Sequence, residues 1–222
     1  MRNAYFADPY FTRTWHHPKL IEAVPAVELH GPGQMCAWDH GNLEHNLREL
    51  YKHADPAKEI LDREFDAIAA EAGLDPATAV VKVRLKGKER VVEKSAGKYA
   101  KKHPESNGLA LVMDIVRMSI MCETEDQVLI VLEVIRQKKN LIIKRFKNLF
   151  SDLDAPHFRR LMCNVGVELD PGFFYVCEVQ VHIKAIFNFK LTNDHLCHAP
   201  YEFFRSLLKA ELNEVMDSKE HW

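Results

Sequence analysis

The segment Phe173–Ile183 does most to limit what this chain can fold into. Side chains on a strand alternate between two faces. One face here carries Phe173, Tyr175, Cys177, Val179, Val181 and Ile183, all suited to a core, and the other carries Phe174, Val176, Glu178, Gln180 and His182. The preceding run repeats the division. Leu161, Cys163, Val165 and Val167 share one face, while Phe158, Arg160, Met162, Asn164 and Glu168 share the other. Leu169-Asp170-Pro171-Gly172 between the two runs has the composition of a tight turn, so they are expected to pair. An antiparallel pair often turns one polar face to water. This face differs from an ordinary solvent side in its chemistry: a carboxylate, an amide, an imidazole and a guanidinium rather than Lys, Thr and Ser.

The rest of the chain supplies helices and further strands for that pair. Asp55 as N-cap, Pro56 at the first helical position and Gly73 past the end mark a helix with Ile60, Phe65, Ile68 and Ala72 as its apolar stripe. Val80–Leu85 alternates as a strand, Lys88–Lys101 reads as a basic helix, and Ile115–Cys122 is a strand candidate. Thr124 with Gln127 forms a capping box ahead of the buried helix Val128–Ile135, and Leu141-Ile142-Ile143 opens another strand. A last helix is expected from about Pro200 to about Met216. The expected architecture is therefore α+β: a mixed, mainly antiparallel five-stranded sheet with helices packed on it. Residues 1–75 read as an N-terminal extension and helix packing on a core domain of residues 76–222, and residues 1–54 show little clean periodicity.

Charge separates along the chain although the whole is close to neutral, at −2. Asp39–Asp75 holds ten acids against four bases, Lys82–Lys102 nine bases against two acids, and Arg136–Arg160 eight bases against two acids. Two basic blocks separated by an apolar stretch can converge on one polyanion, although a solvated face is the plainer reading of either block alone. Five cysteines without a C-x-x-C pair, three of them inside strand patterns, point to free thiols in a reducing compartment. The N-terminus has no apolar core of signal-peptide type, and no apolar run approaches the ~20 residues needed to span a bilayer. A second carboxylate, Asp114, stands at the mouth of the Ile115 strand, with Arg117 three places on. Two carboxylates on neighbouring strands suffice to hold Mg²⁺ against phosphates, and an Asp–Arg ion pair is the plainer alternative.

These pieces, taken in order, resemble the RelA/SpoT-type nucleotidyltransferase superfamily of alarmone synthetases. Lys86–Lys94 with Lys98-Tyr99 is similar to the basic strand and helix that grip ATP. Asp114-Ile115-Val116-Arg117 is similar to the family's Asp-x-x-Arg strand, and Lys147-Asn148 to a Lys-Asn motif. Phe158–Val165 resembles the Gly-Tyr-Arg strand, Glu178-Val179-Gln180 the Glu-x-Gln strand, and His198–Arg205 the start of the closing helix. The resemblance spans roughly residues 80–210. His157-Phe158 stands where Gly-Tyr is expected, keeping a stacking ring without its hydroxyl.

The resemblance implies a nucleotidyltransferase-like fold and transfer of pyrophosphate from ATP to a ribose 3′-hydroxyl of a nucleotide in the cytoplasm, by synthesis only. It implies that Asp114 and Glu178 hold Mg²⁺ and that Glu178 accepts the acceptor proton. Lys86, Arg90, Lys94 and Arg117 would grip the donor phosphates. Phe158, Arg160, Asn164, Gln180, His182 and Lys147 would form the acceptor site. The acceptor would be GTP or GDP, or alternatively the 3′ end of tRNA, as in toxin relatives; a catalytically inactive nucleotide- or partner-binding homologue is the further alternative. No membrane is involved, and oligomerisation stays open. A zinc site drawn from His30, Cys36, His40 and His45, or from His195-Leu196-Cys197-His198, is a separate reading without ligand spacing of a known type.

Overall fold

A computed structural model of the chain describes residues 33–150 and 159–192. The elements in chain order are α1 (Leu43–Lys52), α2 (Ala54–Glu71), a short α3 (Pro76–Ala79), β1 (Val80–Lys82), α4 (Lys88–Lys94) continuing as a π-helical turn (Ser95–Tyr99), β2 (Arg117–Cys122), α5 (Glu125–Gln137), β3 (Leu141–Asn148), β4 (Leu161–Asp170), β5 (Phe173–Ile183) and α6 (Lys184–Thr192). The five strands form one sheet in the order β1-β2-β5-β4-β3. Only β2 and β5 run parallel; the other neighbours are antiparallel. This is the mixed, mainly antiparallel sheet that the alternation predicted.

The β4–β5 hairpin forms as expected. Gly172 takes φ +80°, a left-handed conformation that suits glycine, and its amide donates to the Glu168 carboxylate at 3.0 Å. On α5, Thr124 Oγ1 accepts from the Gln127 amide, and the Gln127 side chain accepts from the Glu123 amide at 2.7 Å. The predicted capping box is present, with its return bond one residue earlier than the motif specifies.

Four sequence expectations are corrected. The helix placed after Asp55 begins at Ala54, so Asp55 lies in its first turn rather than at its cap, where a carboxylate still complements the helix dipole. Of the expected stripe, Phe65, Ile68 and Ala72 are buried and Ile60 lies at the margin, and Ala57, Leu61 and Ala69 join them. The aperiodic stretch before it contains α1, capped by Asn42 through the His45 amide. The expected six-residue strand from Val80 keeps three residues, and the basic helix leaves α geometry after Lys94. The closing helix at 200–216 lies outside the described residues, and α6 was not foreseen.

One face of the sheet is the core face. Ile120, Val179, Val181, Cys163, Val165 and Tyr175 are fully buried in one cluster with Leu50, Leu61, Phe65 and Ile68 from α1 and α2 and with Val128, Leu132 and Ile135 from α5. Truncating a side chain such as Phe65 to Ala costs ~3–5 kcal/mol in cores of this kind. Helices α1, α2 and α5 thus cover this face.

Candidate active site

The opposite face of the sheet is organised in rows. The backbone register places Arg117 of β2 opposite Glu178 of β5, Glu178 opposite Asn164 of β4, and Asn164 opposite Arg145 of β3. Neighbouring strands lie ~4.8 Å apart, so this row of guanidinium, carboxylate, amide and guanidinium crosses about 14 Å of sheet. The row beside it carries Ser119, Gln180, Met162 and Lys147. Two side-chain bonds fix the first row: Gln180 Nε2 donates to Glu178 Oε1 at 2.7 Å, and Arg145 Nε donates to Asn164 Oδ1 at 2.8 Å. The Nε of Arg117 and the Nδ2 of Asn164 are buried and have no hydrogen-bond partner among the described residues.

Arg145 reaches this face because of a bulge. A strict alternation would put Leu141, Ile143, Arg145 and Lys147 on one side, two apolar residues with two cations. The register shifts between Ile143 and Arg145. One extra residue on the strand turns Leu141 and Ile143 toward core partners Val167 and Val165, and Arg145 and Lys147 toward Asn164 and Met162. The conflict within that run is the sequence signal that identifies Arg145, which the sequence reading did not select.

Asp114 precedes β2 by three residues, at the β1 end of these rows. Its Oδ2 takes Lys86 Nζ at 2.5 Å and Lys94 Nζ at 2.9 Å. Its Oδ1 is buried and has no partner among the described residues. Burial raises the carboxyl pKa, but Lys94 and Lys86 outweigh it, so the group lies below its ordinary value. Burial likewise lowers the Lys86 ammonium, against the pull of Asp114, and repulsion from Lys94 and Arg117 adds to that lowering. Tyr51 of α1 closes this corner. Its hydroxyl donates to the Lys86 carbonyl, Lys88 Nζ lies 5.5 Å from its ring centre, and burial followed by the Asp114 charge pushes its pKa up to about 12.

The other predicted site residues take varied places. Lys86 and Lys94 both reach Asp114, and Arg117 lies near Lys86 and opposite Glu178 in the register, whereas Arg90 is exposed on α4 and pairs with Glu93 at 2.9 Å. Lys147 is exposed on the edge strand. His182 lies on the expected face but is buried, its ring edge-on to Phe187 of α6 at 5.0 Å. Arg160 is half-buried just ahead of β4, and its carbonyl accepts from the Leu149 amide. Phe158, with His157, lies outside the described residues. Among the described residues no three of His, Cys, Asp and Glu gather to hold a metal ion, so Cys36, His40 and His45 form no such set; His30 and residues 195–198 lie outside.

No family model matches the chain, and no curated protein matches it in sequence. Solved structures match it in fold. The small alarmone synthetase 1 of Bacillus subtilis, bound to its product pppGpp, is 20% identical with a TM-score of 0.52, covering 80% of this chain and 97% of that one. The small alarmone synthetase 2 of the same organism is 21% identical with a TM-score of 0.52, covering 80% and 92%. A GTP pyrophosphokinase family protein of Streptococcus pneumoniae is 18% identical with a TM-score of 0.51, covering 79% and 89%. The chain has the alarmone synthetase-like fold.

Within that fold, strands carry the row from Arg117 to Arg145, and the segments flanking β1 and β2 carry the Asp114 cluster. Three charged side chains of the first row, Arg117, Glu178 and Arg145, therefore sit on rigid sheet, which suits a site that works by holding groups in place. No helix of the described residues is long and apolar enough to cross a membrane.

Proposed function

We propose that this chain is a pyrophosphokinase that moves the β,γ-pyrophosphate of ATP to the ribose 3′-hydroxyl of an acceptor nucleotide. The observation that carries this reading is the Asp114–Lys86–Lys94 cluster beside the Arg117–Glu178 pair. Such a transfer asks a protein for alignment and charge neutralisation. Lys86, Lys94 and Arg117 would grip the donor phosphates, Arg117 through a fork of N–H groups and the lysines as point charges.

The donor set fits Mg²⁺, a hard cation that takes one or two carboxylates and completes its shell with substrate oxygens and water. Asp114 Oδ1 is a buried oxygen with lone pairs to spare, and Glu178 is the second carboxylate. Bound there, Mg²⁺ would neutralise charge on the transferring phosphates. Glu178, steadied by Gln180, would take the proton of the acceptor hydroxyl as its oxygen bonds to the β-phosphorus; the bond from that phosphorus to the α-phosphate oxygen breaks, and AMP leaves. Arg160, Asn164, Gln180, His182 and Lys147, with Phe158, would receive the acceptor. Free thiols and a nucleotide substrate suit the cytoplasm.

The test is incubation with ATP labelled in the β or γ phosphate, Mg²⁺, and a panel of GTP, GDP, ATP and bulk tRNA. Label in a guanosine nucleotide with stoichiometric AMP is the expected result. Label on tRNA alone would move the acceptor assignment to RNA, and no transfer to any acceptor would end the reading.

A further inference from the structure

The parallel β2–β5 ladder stops one rung short. The Glu178 amide donates to the Val116 carbonyl at 2.9 Å, but no backbone bond joins Val176 to residues 114–116; on the opposite, β1 side of that segment the Ile115 carbonyl accepts from the Lys86 amide at 3.0 Å. Val176, two residues before Glu178, thus lacks the β2 neighbour that would take its backbone N–H and C=O. Both groups are satisfied by a side chain 142 residues away in sequence. Gln34 Oε1 accepts from the Val176 amide at 2.9 Å, and Gln34 Nε2 donates to the Val176 carbonyl at 2.8 Å. The same Nε2 lies 3.4 Å from the Val112 carbonyl, two residues before Asp114, and the Gln34 amide donates to the Ala110 carbonyl at 2.8 Å. Gln34 is 1% exposed.

A primary amide presents one acceptor and two donors in a plane, so it can mimic the peptide group missing from the ladder. We propose that Gln34 is a positioning residue that replaces the absent rung of β2 and so holds the Asp114 segment and the Glu178 strand at a fixed separation. It touches neither substrate nor metal, and its importance for catalysis rests on the transferase reading given above. Gly33 serves the same contact, because a Cβ there would lie 2.0 Å from the Ala110 carbonyl oxygen and force the segment out.

The test compares the full chain with Gln34→Leu, which keeps the volume and loses the amide, and with Gly33→Ala, which keeps the amide and displaces it. Backbone amide exchange and steady-state transfer are measured on each. The expected result is exchange at Val176 and Glu178 faster by about tenfold or more with α2 and α5 unchanged, and kcat lower by about tenfold or more with KM for ATP within about twofold. Unchanged exchange at Val176 and Glu178 overturns the proposal. So does a rise spread equally over α2 and α5, which would mark Gln34 as a general stabiliser. If one variant does not fold, the other decides. Should the unaltered chain transfer nothing, the transferase reading fails, and the exchange measurement still decides whether Gln34 supplies the rung.

Discussion

Arg117 and Glu178 face each other across the parallel pair of strands, and the Glu178 amide bonds to the carbonyl of Val116, the residue before Arg117. A cation and a carboxylate are thereby fixed side by side by backbone register rather than by side-chain choice. Glu178→Gln keeps the shape and the strand while removing the proton acceptor and one negative charge. Transfer is expected to fall by about 10²-fold or more, with unfolding free energy changed by no more than about 1 kcal/mol. Labelled-ATP transfer and a denaturant melt on the same preparation check it, and full activity in this variant would misplace the site.

Asp114 neutralises two ammonium groups at once. Asp114→Asn leaves Lys86 and Lys94 facing each other, so nucleotide transfer is expected to be lost and stability at neutral pH to drop on the order of 1–2 kcal/mol, less than for a fully buried pair because Lys94 is partly exposed. The pH dependence has a definite sign. Burial opposes ionisation but the lysines prevail, so the folded pKa lies below the unfolded one. The contribution is then present above the unfolded value and lost as pH falls through the folded value, below about pH 4. Melts across the acid range should show a shallower acid limb for Asp114→Asn than for the unaltered chain.

The β4–β5 hairpin, the capped α5 and the polar face with Glu178, Gln180 and Asn164 were legible because each has a strong local cause: strict alternation, a turn with Gly172, a Thr-Gln cap. Other features have causes that are not local. Nothing near Asp55 shows that α1 ends three residues before it. Val83 and Leu85 alternate well but fall beyond the end of β1 at Lys82, although the Lys86 amide still bonds to the Ile115 carbonyl ahead of β2. The bulge before Arg145 could have been inferred from the clash of apolar and cationic residues on one predicted face. Gln34 could not, since a single glutamine in an aperiodic stretch carries no periodic signal and its partner Val176 is set by tertiary structure alone.

The thiols give a prediction independent of function. Burial pushes Cys122 and Cys163 up to about 12 and raises Cys177 further. At pH 8 the thiolate fraction of the first two is then about a thousandfold below that of a free cysteine. Alkylation followed by peptide mapping should leave these three unmodified in the native protein and label them after denaturation. Because the folded pKa values are raised, the stability they contribute is complete below about pH 9 and is lost as pH climbs toward about 12. Rapid native labelling of Cys163 would contradict its placement in the core.

Asn164 separates fold from acceptor binding. It is 1% exposed, its Oδ1 holds Arg145 Nε, and its Nδ2 has no partner among the described residues while Glu178 stands opposite. A buried N–H group without a partner costs about 1–3 kcal/mol, and a hydrogen bond to a charged donor contributes about as much. Asn164→Ala removes both, so the two effects on stability should nearly cancel, to within about 1 kcal/mol. Binding does not cancel in this way. If Nδ2 is kept bare to meet the acceptor nucleotide, KM for the acceptor should rise by about tenfold with KM for ATP unchanged, and Arg145→Met, which leaves Nδ2 in place, should raise it less. Equal KM values for the acceptor in Asn164→Ala and the unaltered chain would make the bare amide a defect of packing rather than a contact held for substrate.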